Sequence, residues 1–104
     1  MERKSFITTL KKVMEHNEYT PEMLTVEECD KQDRWTPCDL ILREYLNNGG
    51  GSAKGFLGIG PKACESAYRY ICEHKQELIE QNYINKDAHN NFGFSLWKNW
   101  NFDR

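Results

Sequence analysis

Cys38 is the residue whose position speaks most directly of reaction chemistry. It follows Thr36-Pro37, the signature of a helix start, where amides without intrahelical acceptors lower a thiol pKa and favour the thiolate. In a cysteine-dependent enzyme His16, His74 and His89 would be the candidate bases and Asp39 the orienting carboxylate. The competing reading is a buried thiol acting as a small hydrophobe. Nothing in the linear order brings a histidine to Cys38, so the expectation is a non-catalytic chain with Cys38 as its weak catalytic candidate. Cys29, Cys38, Cys64 and Cys72 are separated by eight, 25 and seven residues, with no Cys-x-x-Cys pair. That spacing argues against a zinc site, and no metal or cofactor is expected.

A second constellation is built on backbone rather than side chains. Six of the seven glycines fall between Gly49 and Gly60, and the run ends at Pro61, where a helix is expected to begin. Clustered glycine is unfavourable inside a packed element and persists where the chain needs positive φ or close approach. Three readings follow: a structural connection in which Phe56, Leu57 and Ile59 plug the core, an anion site, and a mobile loop that contacts another protein. For a bound anion or partner, the residues are Lys54, Gly58, Ile59, Gly60 and Lys62, because amides at a helix start and its macrodipole favour negative charge. The Gly-x-x-x-x-Gly-Lys-Ser/Thr spacing is missing, which argues against a nucleotide-hydrolysing phosphate loop.

Within this run, Leu57-Gly58-Ile59-Gly60-Pro61-Lys62-Ala63 resembles the hairpin of the helix-hairpin-helix family. The resemblance spans about seven residues. It implies a Gly-hydrophobic-Gly turn that presents backbone amides to a nucleic-acid phosphate, with binding that falls steeply with salt. The global charge speaks for a different partner. The formal charge is −2 and the pI about 5.9, whereas nucleic-acid binders usually carry a basic excess. Glu15 to Asp33 holds seven acidic residues against Lys31, while Lys54, Lys62, Arg69 and Lys75 make the following region mildly basic.

The elements that must position these residues are helices. Phe6, Ile7, Leu10, Val13 and Met14 recur at three- and four-residue spacing and predict a helix over Ser5–His16 with Ser5 as its cap. Thr20-Pro21 predicts a turn, and Thr25 with Glu28 a capping box that opens a short helix ending near Gln32, from which Met23, Leu24 and Val26 reach the core. Thr36-Pro37 opens a third helix whose apolar face, Cys38, Ile41, Leu42, Tyr45 and Leu46, runs out at Asn47-Asn48-Gly49. A fourth, from Pro61 to Gln81, carries Cys64, Ala67, Tyr68, Ile71, Cys72, Lys75, Leu78, Ile79 and Asn82 as one stripe. Glu65, Arg69 and Glu73 are spaced for ion pairs on its other side. Tyr68 and Tyr70 cannot share a face, so one belongs in the core and the other nearer the surface.

The last stretch, Asn85 to Arg104, holds five asparagines together with Phe92, Phe94, Trp97, Trp100 and Phe102. The Phe92, Phe94, Leu96 alternation suits an extended strap, able to form a short strand against the Phe56–Ile59 stretch or against another chain. Trp97 and Trp100 share a face in a helix, either capping the core or presenting an aromatic patch to a partner.

The expected fold is therefore all-α: one domain over residues 1–104, about four helices and an aromatic C-terminal strap. At 38% apolar and 29% charged the chain is more polar than usual, and its 12% aromatic content argues for a packed core rather than disorder. No segment reaches the roughly 18 apolar residues that span a bilayer, and the opening residues lack the apolar run of a secretory signal. The expectation is a cytoplasmic, non-catalytic regulatory protein with reduced thiols, acting through the glycine-rich loop and aromatic tail on another protein as an inhibitor or adaptor. No membrane contact is expected. The alternatives are a nucleic-acid backbone-binding module and a Cys38-dependent enzyme.

Overall fold

The computed structural model describes residues 1–47 and 57–84. These residues form five helices: α1 (Arg3–His16), α2 (Val26–Lys31), α3 (Pro37–Asn47), α4 (Pro61–Glu73) and α5 (Lys75–Glu80). The fold is all-α, with no strand among the described residues. The aromatic segment from Asn85 onward lies outside them, and Leu57–Ile59, the expected strand partner, forms a bend.

Helix α1 starts earlier than its spacing predicts. Its N-cap is Glu2 rather than Ser5, and the Phe6 amide donates to the Glu2 carbonyl at 2.9 Å. Glu, Arg and Lys are good helix formers and carry the helix backward. Ser5 is then an interior residue whose carbonyl accepts the Thr9 hydroxyl at 3.0 Å, which allows the partly apolar Thr9 to be buried. Phe6, Leu10 and Val13 are sealed in the core with relative exposures of 0–1%.

Two caps behave as their residue types dictate. Thr25 Oγ1 accepts the Glu28 amide at 3.3 Å, and Glu27, Glu28 and Lys31 sit at the helix ends that favour their charge. Thr36 Oγ1 accepts the Asp39 amide at 3.0 Å and donates to Asp39 Oδ2 at 2.7 Å. That reciprocal pair is fully inside the protein, and it lets α3 run through the centre with Cys38, Ile41 and Leu42 at 0% exposure. α3 packs against both α1 and α4. Ahead of α2, Met23 is buried and Leu24 half-buried, as is Val26, the first residue of that helix.

The long helix expected from Pro61 to Gln81 is two helices. His74, at φ −116° and ψ 22°, ends α4 and precedes α5. No proline or glycine causes the break. The His74 ring stacks on Tyr70 at a centroid distance of 4.1 Å and its Nδ1 lies 3.3 Å from Glu77 Oε2, and the backbone bonds from His74 N to Tyr70 O and from Leu78 N to His74 O, both 2.9 Å, continue across the break. The buried positions are Cys64, Ala67, Tyr70, Ile71 and Leu78. Tyr70 is thus the core tyrosine, stacked on Phe6 at 4.1 Å, while Tyr68 is half-buried against Tyr45 at 3.9 Å. Asn82 is exposed rather than part of the stripe. Of the expected ion pairs, Arg69 to Glu65 is formed at 3.1 Å.

α1, α2 and α5 end alike. Glu18, Asp33 and Asn82 have φ of 63°, 54° and 65°, and each starts a reversal closed by two backbone bonds. Tyr19 N to Met14 O, Arg34 N to Cys29 O and Tyr83 N to Leu78 O, at 2.8–2.9 Å, are the longer members. Glu18 N to Glu15 O, Asp33 N to Asp30 O and Asn82 N to Ile79 O, at 3.0–3.3 Å, complete the Schellman pattern.

Candidate functional site

Cys38 sits at the helix start as expected, with surroundings that oppose a nucleophile. Its side chain is 0% exposed, and burial, reinforced by the Asp39 carboxylate and the Cys29 thiol, pushes its pKa well up. Cys29 is buried beside it in the same electrostatic environment. Burial first, then Asp39 and Asp30, push its thiol to about 12, and it donates to the Met23 carbonyl at 3.0 Å. Enclosure and a raised pKa both disfavour the thiolate, the form that attacks a substrate or binds a metal. Of the candidate bases, His16 is exposed at the end of α1 and His74 is engaged with Tyr70 and Glu77; His89 lies outside the described residues. Among the described residues no group of His, Cys, Asp and Glu is arranged to hold a metal ion.

The glycine junction is held by packing. Gly58 has φ +79°, and a Cβ there would lie 2.5 Å from His16 Cβ and 2.6 Å from its Cγ. Both facts require glycine. Leu57 and Ile59, on either side, enter the core at 0% and 6% exposure. Gly60 is the N-cap of α4, accepting the Cys64 amide at 3.0 Å, with open space where a Cβ would go. Of the residues expected to bind an anion or partner, Gly58, Gly60 and Lys62 are at the surface and Ile59 is enclosed. Lys54 lies outside the described residues, as do Trp97 and Trp100.

A concave surface lies elsewhere, between α1 and the turn that follows it. Ile7, Leu10, Lys11, Met14 and Glu15 form one wall, and Tyr19, Pro21 and Leu24 the other, around a half-open groove of about 490 Å³. Leu10 and Met14 make the buried floor, Ile7, Tyr19 and Leu24 are half-buried flanks, and Lys11 and Glu15 are charged, exposed rim positions. The volume falls in the ~300–1,000 Å³ range of ligand pockets. Tyr19 is fixed in place: its hydroxyl donates to the Trp35 carbonyl, and the Arg34 guanidinium lies 5.2 Å from its ring centroid. Burial raises the phenol pKa above its usual value, with Cys29 adding to the effect. The second wall therefore presents a neutral ring held by a hydrogen bond, a surface suited to apolar contact.

Sequence reasoning passed over this groove, although α1 carries a signal of it. At ~100° per residue, Phe6, Ile7, Leu10, Val13 and Met14 span an arc of ~120°. Phe6 and Val13 occupy one edge and meet the core; Ile7 and Met14 occupy the other and line the groove. The apolar arc is wider than the surface that α3 and α4 cover.

No protein family, no curated protein and no solved structure matches this chain. Among the described residues, no helix is long and apolar enough to cross a membrane.

Proposed function

We propose that this chain is a non-catalytic regulatory protein of the cytoplasm that binds another protein, as an inhibitor or adaptor, through the groove between α1 and residues 19–24. The observation that carries the reading is the groove's lining, with Leu10 and Met14 as floor and Leu24, Ile7 and Tyr19 as flanks. An apolar floor with one positive and one negative rim residue selects an apolar peptide segment. A phosphate backbone calls instead for a cationic surface. The enclosed thiols at Cys29 and Cys38 fit a role in packing rather than catalysis.

The test is capture with full-length bait, followed by titration of the purified partner. Leu24→Glu places a carboxylate on the groove flank, at a half-buried position. Affinity is expected to fall at least about tenfold, or ~1.4 kcal/mol, with an unchanged far-ultraviolet circular dichroism spectrum. A partner that binds wild type and Leu24→Glu equally would remove the groove from the function. Salt-sensitive binding to an oligonucleotide, lost on Lys62→Ala, would favour the nucleic-acid alternative.

A further inference from the structure

We infer that the groove is also the docking site of this chain's own C-terminal aromatic segment, residues 92–102, so that a protein partner must displace a resident ligand. The inference rests on the groove being a segment-binding surface, and it names the occupant from three features.

The first is the place where the described chain ends. The Asn82 carbonyl accepts the Val26 amide at 2.7 Å, and Ile84 is anchored in the core at 2% exposure. Val26 is two residues beyond Leu24, a flank of the groove. The opposite wall is tied to the same region: Arg3, one turn ahead of Ile7, reaches Glu77 Oε1 at 3.4 Å and Gln81 Oε1 at 3.2 Å. Residues next to each wall are thus bonded to the stretch 77–82, close to the end of the described residues.

The second is length. Seven residues, 85–91, separate Ile84 from Phe92, and at ~3.3 Å per residue they reach ~23 Å. The groove runs along α1 from Ile7 to Met14, ~10 Å at 1.5 Å per residue, and its near end is two residues from the Val26 to Asn82 bond. The tether can cover that path.

The third is chemistry. Phe92, Phe94, Trp97, Trp100 and Phe102 offer large rings to a floor of Leu10 and Met14, and aromatic burial dominates such contacts. Across 92–102 the single charged residue is Lys98, so the segment enters an apolar groove without stranding a carboxylate, and the rim carries one residue of each sign, Lys11 and Glu15. A segment on the same chain also has an effective concentration in the millimolar range for a short tether, which favours it over the same segment of a second copy.

The experiment uses full-length protein with a photoreactive benzophenone amino acid replacing Trp97 or, separately, Trp100. Irradiation is expected to give cross-links within one chain to residues 7–24, with a yield unchanged on tenfold dilution and reduced several-fold by Leu24→Glu. Ile7→Glu, on the opposite wall, is expected to act alike. Cross-links mapping elsewhere, cross-links only between chains, or a yield indifferent to both groove variants would overturn the inference. If partner affinity is groove-dependent while the cross-links map elsewhere, the tail is rejected and the binding function stands. Groove-mapped cross-links with groove-independent partner affinity support the tail as occupant and reject the partner site.

Discussion

The two edges of α1 carry equally apolar residues and meet different surroundings. Phe6 and Val13 belong to the core cluster with Ile41, Ile71 and Leu78, all at 0% exposure, and Tyr70 of α4 stacks on Phe6. Ile7 and Met14 face Tyr19, Pro21 and Leu24 across a groove that remains open. Residues of one type, on one helix, are enclosed by the core on one side and line an open groove on the other. Hydrophobicity alone therefore does not separate core from site in this molecule. What separates them is how much neighbouring backbone comes near enough to cover the side chain.

The contrast should break most visibly in a pair of adjacent truncations. Phe6→Ala is expected to cost about 3–5 kcal/mol, because it removes a buried ring and leaves a cavity beside Tyr70. Ile7→Ala, one residue away, is expected to cost less than about 1.5 kcal/mol, as the half-buried side chain already faces solvent on one side. Urea titration measures both, and equal losses would erase the distinction between the edges.

Gly58 tests the boundary between the two regions, since it packs on His16 where α1 ends. Gly58→Ala is expected to cost about 1–3 kcal/mol in thermal or urea unfolding, from the positive φ and the 2.5 Å approach to His16 Cβ. His16→Ala should not rescue it, because the nearest atom is Cβ itself; His16→Gly should recover part of the loss. Gly60→Ala meets open space and is expected to be milder than Gly58→Ala.

Alkaline pH probes the sealed side. The Cys29 thiol is raised to about 12 in the folded protein from an ordinary value of 9.0. Between those values the unfolded chain releases the proton and the native one keeps it, so the unfolded state binds fewer protons and stability falls as pH rises. The contribution is complete below pH 9 and lost towards pH 12. Cys38 and Tyr19 act in the same direction. Cys29→Ala is expected to flatten the alkaline decline measured by urea midpoints from pH 8 to 11, even if it lowers the midpoint at neutral pH. At pH 7.5, alkylation should reach the partly exposed Cys72 well before Cys29 or Cys38.

The smallest effects belong to the reversals at the helix ends. Glu18→Gly, at the turn leading into the groove wall, and Asp33→Gly, after α2, each relieve a non-glycine residue at positive φ. A gain of about 0.5–1 kcal/mol is expected for each by thermal unfolding, with less for Asn82→Gly because asparagine tolerates this conformation better. Loss of stability on Glu18→Gly would mean that its side chain contributes to holding the groove wall.

Much of the fold was legible because its signals are local. Thr25 and Thr36 announce helix starts through a hydroxyl three residues from the amide it caps, and the inward face of α1 follows from spacing alone. The break at His74 was hidden because neither proline nor glycine marks it. The endings at Glu18, Asp33 and Asn82 were hidden because no glycine marks the positive-φ position at any of them. Cys38 was correctly placed at a helix start, yet its chemistry is set by burial, which linear order does not report. The groove was the least legible feature, since it is defined by the surface that neighbouring elements leave uncovered.

The bond from the Val26 amide to the Asn82 carbonyl joins residues 56 positions apart and pairs the start of α2 with the end of α5. Each of these six-residue helices is too short to persist alone in water. Their fluctuations are therefore coupled: α2 cannot lift away without breaking its hold on the far end of the chain. The Val26 amide should exchange with solvent deuterium at the rate of this joint opening, slower than the fraying of either helix by itself, which makes one proton a clock for the detachment of two distant segments.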